Sequence, residues 1–186
     1  PAIESGKCRA ADGSDYGEDD EVFIKDLTAD EIQATFICDG LFRGPEQVND
    51  LDLSPVSVAF AAEAGIDPYA MPTVQNLFDF VDFYVEYYST GEGAADEGAA
   101  VKAANAAEVR FNIETKRNPG AEFVDRTVGS QQFVDALAGA IAANELEVRA
   151  WIQSFDWSTL ILTQEQFPQI QTVYLFGDFT GDGTNL

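Results

Sequence analysis

The chain reads as an α/β protein built around parallel strands, and three observations predict this. Residues 107–178 alternate short β-like runs with longer helical ones. Val109-Arg110-Phe111-Asn112-Ile113-Glu114 comes first, then a helix marked by Phe133, Leu137, Ile141 and Leu146, then Val148 to Phe155. A second helix, marked by Leu160-Ile161-Leu162 with Phe167, is closed by Pro168, and Thr172-Val173-Tyr174-Leu175-Phe176 follows as a third strand. Strand, helix, strand, helix, strand at this spacing predicts right-handed crossovers and therefore parallel neighbours. The period of apolar residues changes with the element, two in the first strand and three to four in the helices. Finally, 186 residues that are 46% hydrophobic, with 14 Phe, are enough to bury a core. No glycine-rich nucleotide fingerprint follows any strand, which counts against a dinucleotide-binding sheet, while a barrel and an open doubly wound sheet both fit.

The elements before this βαβαβ core follow from local signals. Residues 1–23 are rich in Gly, Asp, Ser and Ala with few aliphatics, which predicts an acidic surface loop. Thr28 followed by Glu31 forms a capping box and predicts a short helix through about Phe36. Residues 39–71 carry Gly40, Gly44, Pro45, Pro55, Gly65 and Pro68 among many Asp, so a long inserted loop is expected, of the kind that covers binding sites. Pro72-Thr73 starts a helix whose core face is Val74, Leu77, Phe78, Val81 and Val85. Residues 91–106 are Ala/Gly-rich and acidic and suit a connector or a weak helix.

Charge and cysteine content narrow the setting. Ten basic against 33 acidic residues give a net charge of -23, which repels phosphate backbones and anionic membranes over about 10 Å at moderate salt. Nucleic acid is therefore not an expected partner. No stretch approaches the roughly 20 apolar residues of a transmembrane span. Cys8 and Cys38 are either bridged across a polar loop or reduced and buried, and the acidic composition leans towards a periplasmic or secreted location.

The run with the most chemical content is Phe111 to Lys116. Successive strand side chains point to opposite faces, so Asn112, Glu114 and Lys116 share a polar face, while Phe111 and Ile113 point towards the helices. A carboxylate and an ammonium side by side at a strand end suit a phosphate held with a divalent cation. Glu114 would give oxygens to a hard metal, and Lys116 would place a point charge on the phosphate. An ordinary strand-end ion pair is the alternative.

The run Phe111-Asn112-Ile113-Glu114-Thr115-Lys116-Arg117-Asn118-Pro119 resembles the N-I-E-x-K strand of glycerophosphodiester phosphodiesterases. Three further segments resemble the same family in the same order: Ile24-Lys25-Asp26-Leu27-Thr28, Met71-Pro72-Thr73-Val74 and Ile152-Gln153-Ser154-Phe155-Asp156-Trp157. The resemblance, from about residue 24 to 176, implies a partial triosephosphate-isomerase-type (β/α) barrel. It implies hydrolysis of glycerophosphodiesters to an alcohol and glycerol 3-phosphate, with calcium or magnesium as cofactor. It also implies Glu114 as metal ligand, Lys116 as substrate contact, and Ser154 and Phe155 near the substrate pocket. Packing of Phe155 and Trp157 beneath a loop is the alternative for that last segment.

One departure is plain. The family's acid and base are two histidines, in a His-Arg-Gly-type turn and a His-Asp pair with a Glu-x-Asp metal pair between them, and this chain contains no histidine. Imidazole proton transfer at neutral pH cannot occur within it, so no catalytic residue is expected here. With Pro1 first and Leu186 closing no recognisable element, residues 1–186 read as a single incomplete catalytic domain that lacks its first strands. A non-catalytic calcium-binding or surface-interaction protein that keeps the barrel fold is the alternative. Asp178-Phe179-Thr180-Gly181-Asp182-Gly183 resembles the start of a calcium loop, but its third position is Thr and the closing Glu would fall beyond Leu186, so a Gly/Asp-rich loop after the last strand explains it more simply.

Overall fold

The computed structural model describes residues 8–14, 22–38, 54–117 and 126–177. The candidate calcium loop at 178–183 and large parts of the 1–23 and 39–71 segments lie outside the described residues. The chain divides into two compact units, Pro1–Glu108 and Val109–Leu186.

The first unit opens with β1 (Arg9–Ala10), which pairs antiparallel with β2 (Phe36–Ile37). Cys8 and Cys38 flank this pairing and form a disulfide across 30 residues of sequence. Cys8 and Ala10 are buried, so the N-terminal segment is tied into the unit and is not loop throughout, contrary to the composition-based expectation. Between the two strands, α1 (Ala29–Thr35) starts at Thr28 with the predicted capping box: the Thr28 hydroxyl accepts from the Glu31 amide, and the Glu31 carboxylate accepts from the Thr28 amide at 2.8 Å.

The expected loop over 39–71 contains a helix, α2 (Pro55–Ala64). Pro55 stands at its first position, where the missing N–H costs nothing, and Gly65 follows its end at φ 68°, the left-handed conformation that glycine adopts without strain. These residues frame the helix. α3 (Val74–Ser89) starts at Thr73, whose hydroxyl accepts from the Asn76 amide. Gln33 ties α1 to this start, donating to the Asn76 side chain at 2.8 Å and to the Met71 carbonyl at 3.2 Å. Phe78, Val81 and Tyr88 are the buried residues of α3, whereas Leu77, expected in the core, is exposed. Aromatic packing shifts the buried stripe, since Phe80, Phe83, Tyr84 and Tyr87 pack around a centre of Val56, Tyr88, Ala99 and Ala103. The last two belong to α4 (Ala99–Ala107), whose small side chains let it approach α3 closely. Gly93 is required for the same reason, because a Cβ there would fall 2.4 Å from the Tyr87 ring.

The second unit holds β3 (Phe111–Glu114), α5 (Ser130–Ala143), β4 (Ala150–Ser154), α6 (Trp157–Gln166) and β5 (Gln171–Tyr174). The strands lie in the order β3-β4-β5 and both pairings are parallel, as the alternation of elements predicted. Among the described residues these three strands form an open sheet and not a closed ring. α5 buries Val134, Leu137, Ala138 and Ile141, one face at helical spacing, and ends before Leu146, which lies in the following turn. α6 begins three residues before the Leu160 run, at Trp157, with Asp156 as its N-cap. Its buried residues, Thr159, Leu160 and Thr163, and the fully buried Ile152 complete the layer between sheet and helices.

Candidate strand-end site

The parallel register brings the C-terminal ends of β3 and β4 together, with Ile113 beside Ile152 and Glu114 beside Gln153. Side chains of matched residues share a face. Phe111, Thr115, Ala150, Ile152 and Ser154 are buried, and the Thr115 hydroxyl is hydrogen-bonded to that of Thr159 on α6 at 2.7 Å. This is the helix-covered face. The other face is polar: Asn112 donates to the Gln153 side-chain oxygen at 2.9 Å, and the Trp151 indole donates to Gln171 at 2.7 Å. The Arg110 guanidinium lies 5.4 Å from the Trp151 ring centre.

Glu114 belongs to this polar face, as period-two alternation predicted. Just beyond the strand, Lys116 donates to both carboxylate oxygens of Glu114, at 3.1 and 3.2 Å. The Lys116 side chain is 81% exposed and that of Glu114 22%. An ion pair this open is worth about 0–1 kcal/mol, so the ammonium can leave the carboxylate for a stronger anion at little cost.

The other two expected substrate contacts lie at the end of β4. Ser154 is fully buried; its hydroxyl donates to the Thr115 carbonyl and accepts from the Asp156 amide, both at 3.0 Å. It thereby joins the ends of β3 and β4. Phe155 is half-buried. Trp157 is exposed, donates its indole N–H to the Leu175 carbonyl at 2.9 Å and stacks edge-on against Tyr174.

Sequence reasoning passed over a second ion pair, Arg117 with Asp156, although both residues stand in the quoted runs. The guanidinium donates to one carboxylate oxygen of Asp156. The other oxygen accepts from the Ser158 amide at 3.0 Å and the Ser158 hydroxyl at 2.7 Å, which caps α6. Side-chain exposures of 16% for Arg117 and 6% for Asp156 make Asp156 buried and Arg117 largely so. The signal that could have located Asp156 is its place before Trp157-Ser158, a helix-start pattern that a start at Leu160 conceals.

Burial of Asp156 disfavours its charged form, but hydrogen bonds from Ser158 and Arg117 outweigh that and hold its carboxyl below the usual aspartate range. A depressed folded-state value stabilises the fold above the unfolded-state value, near 3.9, and the contribution is lost as pH falls through the folded value. Urea midpoints should therefore fall between pH 5 and strongly acid conditions more steeply for the natural chain than for Asp156→Asn. Parallel curves would show that Asp156 carries no such linkage.

Calcium takes about six to eight oxygens and magnesium about six. Among the described residues no group of three or more His, Cys, Asp or Glu side chains is arranged to hold a metal ion. Among the described residues Glu114 belongs to no such group. No helix among them is long and apolar enough to cross a membrane. Comparison with protein-family models, with curated proteins and with solved structures finds no match.

Proposed function

We propose that this chain is the phosphate-facing part of a glycerophosphodiester phosphodiesterase on a partial (β/α) barrel, with Glu114 as one ligand of a divalent cation and Lys116 as a contact to the phosphate. The observation that carries the reading is the meeting of these two side chains at the C-terminal end of a parallel strand, on the face turned away from the helices. In barrels that end is where active sites lie. Lys116 is exposed and weakly held, as a group that transfers to an arriving anion should be. Ser154 and Phe155 stand at the corresponding end of the neighbouring strand, Ser154 bracing the strand ends and Phe155 bordering the substrate. A bound calcium or magnesium would supply Lewis-acid polarisation of a phosphoryl oxygen. Proton transfer falls to histidines that this chain does not contain. The Cys8–Cys38 disulfide supports a periplasmic or secreted setting.

The purified 186-residue chain should release no choline from glycerophosphocholine above the level of its Glu114→Ala variant. It should still sense the product: glycerol 3-phosphate with calcium should shift the NMR resonances of Lys116, and Glu114→Gln should abolish the calcium dependence. Turnover above the control would overturn the first statement, and a silent Lys116 the second. The lack of histidine also favours a non-catalytic calcium-binding or surface-interaction protein. That reading is selected if calcium binds at Glu114 while the phosphate ester leaves Lys116 unchanged.

A further inference from the structure

Lys116 is the one residue of its short segment that faces solvent freely, and both of its neighbours are anchored on the opposite side. Thr115 is buried, its amide donating to the Gln153 carbonyl at 3.0 Å, its carbonyl held by Ser154 and its hydroxyl by Thr159. Arg117 turns back under the strand end to Asp156, and its own amide donates to the Thr115 carbonyl at 2.7 Å. The backbone at 116 is thus pinned from both ends while its side chain projects the other way.

The chemistry of the second anchor is telling. α6 needs only a side-chain oxygen at its N-cap, which Ser would supply without a charge. A buried ion pair is a costly way to fill that place, because desolvation takes back much of the attraction and apolar residues of similar volume are often as stable. The bidentate-capable guanidinium gives direction more than stability. Among the described residues its buried Nε has no hydrogen-bond partner, a further cost.

We propose that Arg117 and Asp156 are positioning residues for Lys116: their pairing ties the end of β3 to the start of α6 and so fixes where the Lys116 ammonium meets a phosphate ester. This rests on the reading of Lys116 as the phosphate contact, and the test separates the two. The informative variant of the full chain is the double substitution Arg117→Met with Asp156→Ser. It removes both buried charges and keeps both an apolar filling and a capping oxygen, so its thermal midpoint should stay close to that of the natural chain.

Backbone ¹⁵N relaxation should then show the order parameter at Lys116 falling from about 0.85 to below about 0.6, with the core strands unchanged. The Lys116 shift on adding glycerol 3-phosphate with calcium should be largely lost. Asp156→Asn, which keeps the cap and an acceptor for Arg117, should retain most of the order and of the shift. If the double variant fails to fold, Arg117→Met alone is read in the same way. Unchanged order at Lys116 in a folded variant overturns the proposal, as does loss of order spread evenly over the unit. Ordered Lys116 in the natural chain with no response to glycerol 3-phosphate overturns the phosphate reading and leaves the anchoring intact.

Discussion

Replacing Asp156 by Ala should lower the free energy of unfolding of the second unit by about 3–5 kcal/mol, the cost of leaving a buried charge without its partner. Arg117 would keep its guanidinium under the strand end without its carboxylate partner there, since it donates to Asp156 and is largely buried. The same substitution removes the acceptor for the Ser158 amide and hydroxyl, and a lost N-cap alone costs about 1 kcal/mol. Urea denaturation followed by tryptophan fluorescence measures this directly, because both tryptophans of the chain, Trp151 and Trp157, lie in that unit. Asp156→Asn should cost clearly less, having kept the hydrogen-bond acceptors and lost only the charge. Equal losses for Ala and Asn would assign the effect to charge alone, and a loss below 1 kcal/mol for Ala would show that the pair contributes little.

The second large effect is expected in the first unit. The Cys8–Cys38 bridge closes a loop of 30-residue separation, which on the chain-entropy model is worth about 3–4 kcal/mol. The two-residue ladder of β1 and β2 is too short to hold the N-terminal segment unaided. Reduction, or the double substitution Cys8→Ser with Cys38→Ser, should therefore lower the denaturation midpoint of this unit and release Cys8 and Ala10 from their buried positions. Hydrogen exchange at Ala11, whose amide donates to the Thr35 carbonyl at 2.7 Å, reports on the same event. Protection at Ala11 that survives reduction would show the strand pairing to be self-sufficient.

What the sequence made legible was periodic, and what it concealed was long-range. The parallel order of β3, β4 and β5 followed from alternating elements, and the shared face of Asn112 and Glu114 followed from the period of a strand. The capping box at Thr28 and Glu31 needed only four residues to be recognised. The helix at Pro55–Ala64 is hidden because proline and glycine commonly break helices, whereas here one stands at the start and one after the end, framing a complete helix. Leu77 fits the stripe drawn by spacing, yet the aromatic side chains of α3 rotate the packed face away from it. At the candidate site, Glu114 and Lys116 are legible because they stand two residues apart in one run, Glu114 at the end of β3 and Lys116 just past it. Arg117 and Asp156 were not, because a pairing across 39 residues leaves no trace in local pattern. Resemblance alone marks Ser154 as lying near substrate, and no local pattern shows that its buried hydroxyl holds two strand ends together.

The partition of the chain at Glu108 and Val109 has a consequence for how it would fail. The bridge that a reductant cuts lies wholly before that boundary, and the carboxylate that acid neutralises at the buried pair lies wholly after it. A reductant would thus cut a fastening of the first unit alone, whereas acid would loosen both, because Glu31 at the start of α1 is, like Asp156, held below its usual range by hydrogen bonds.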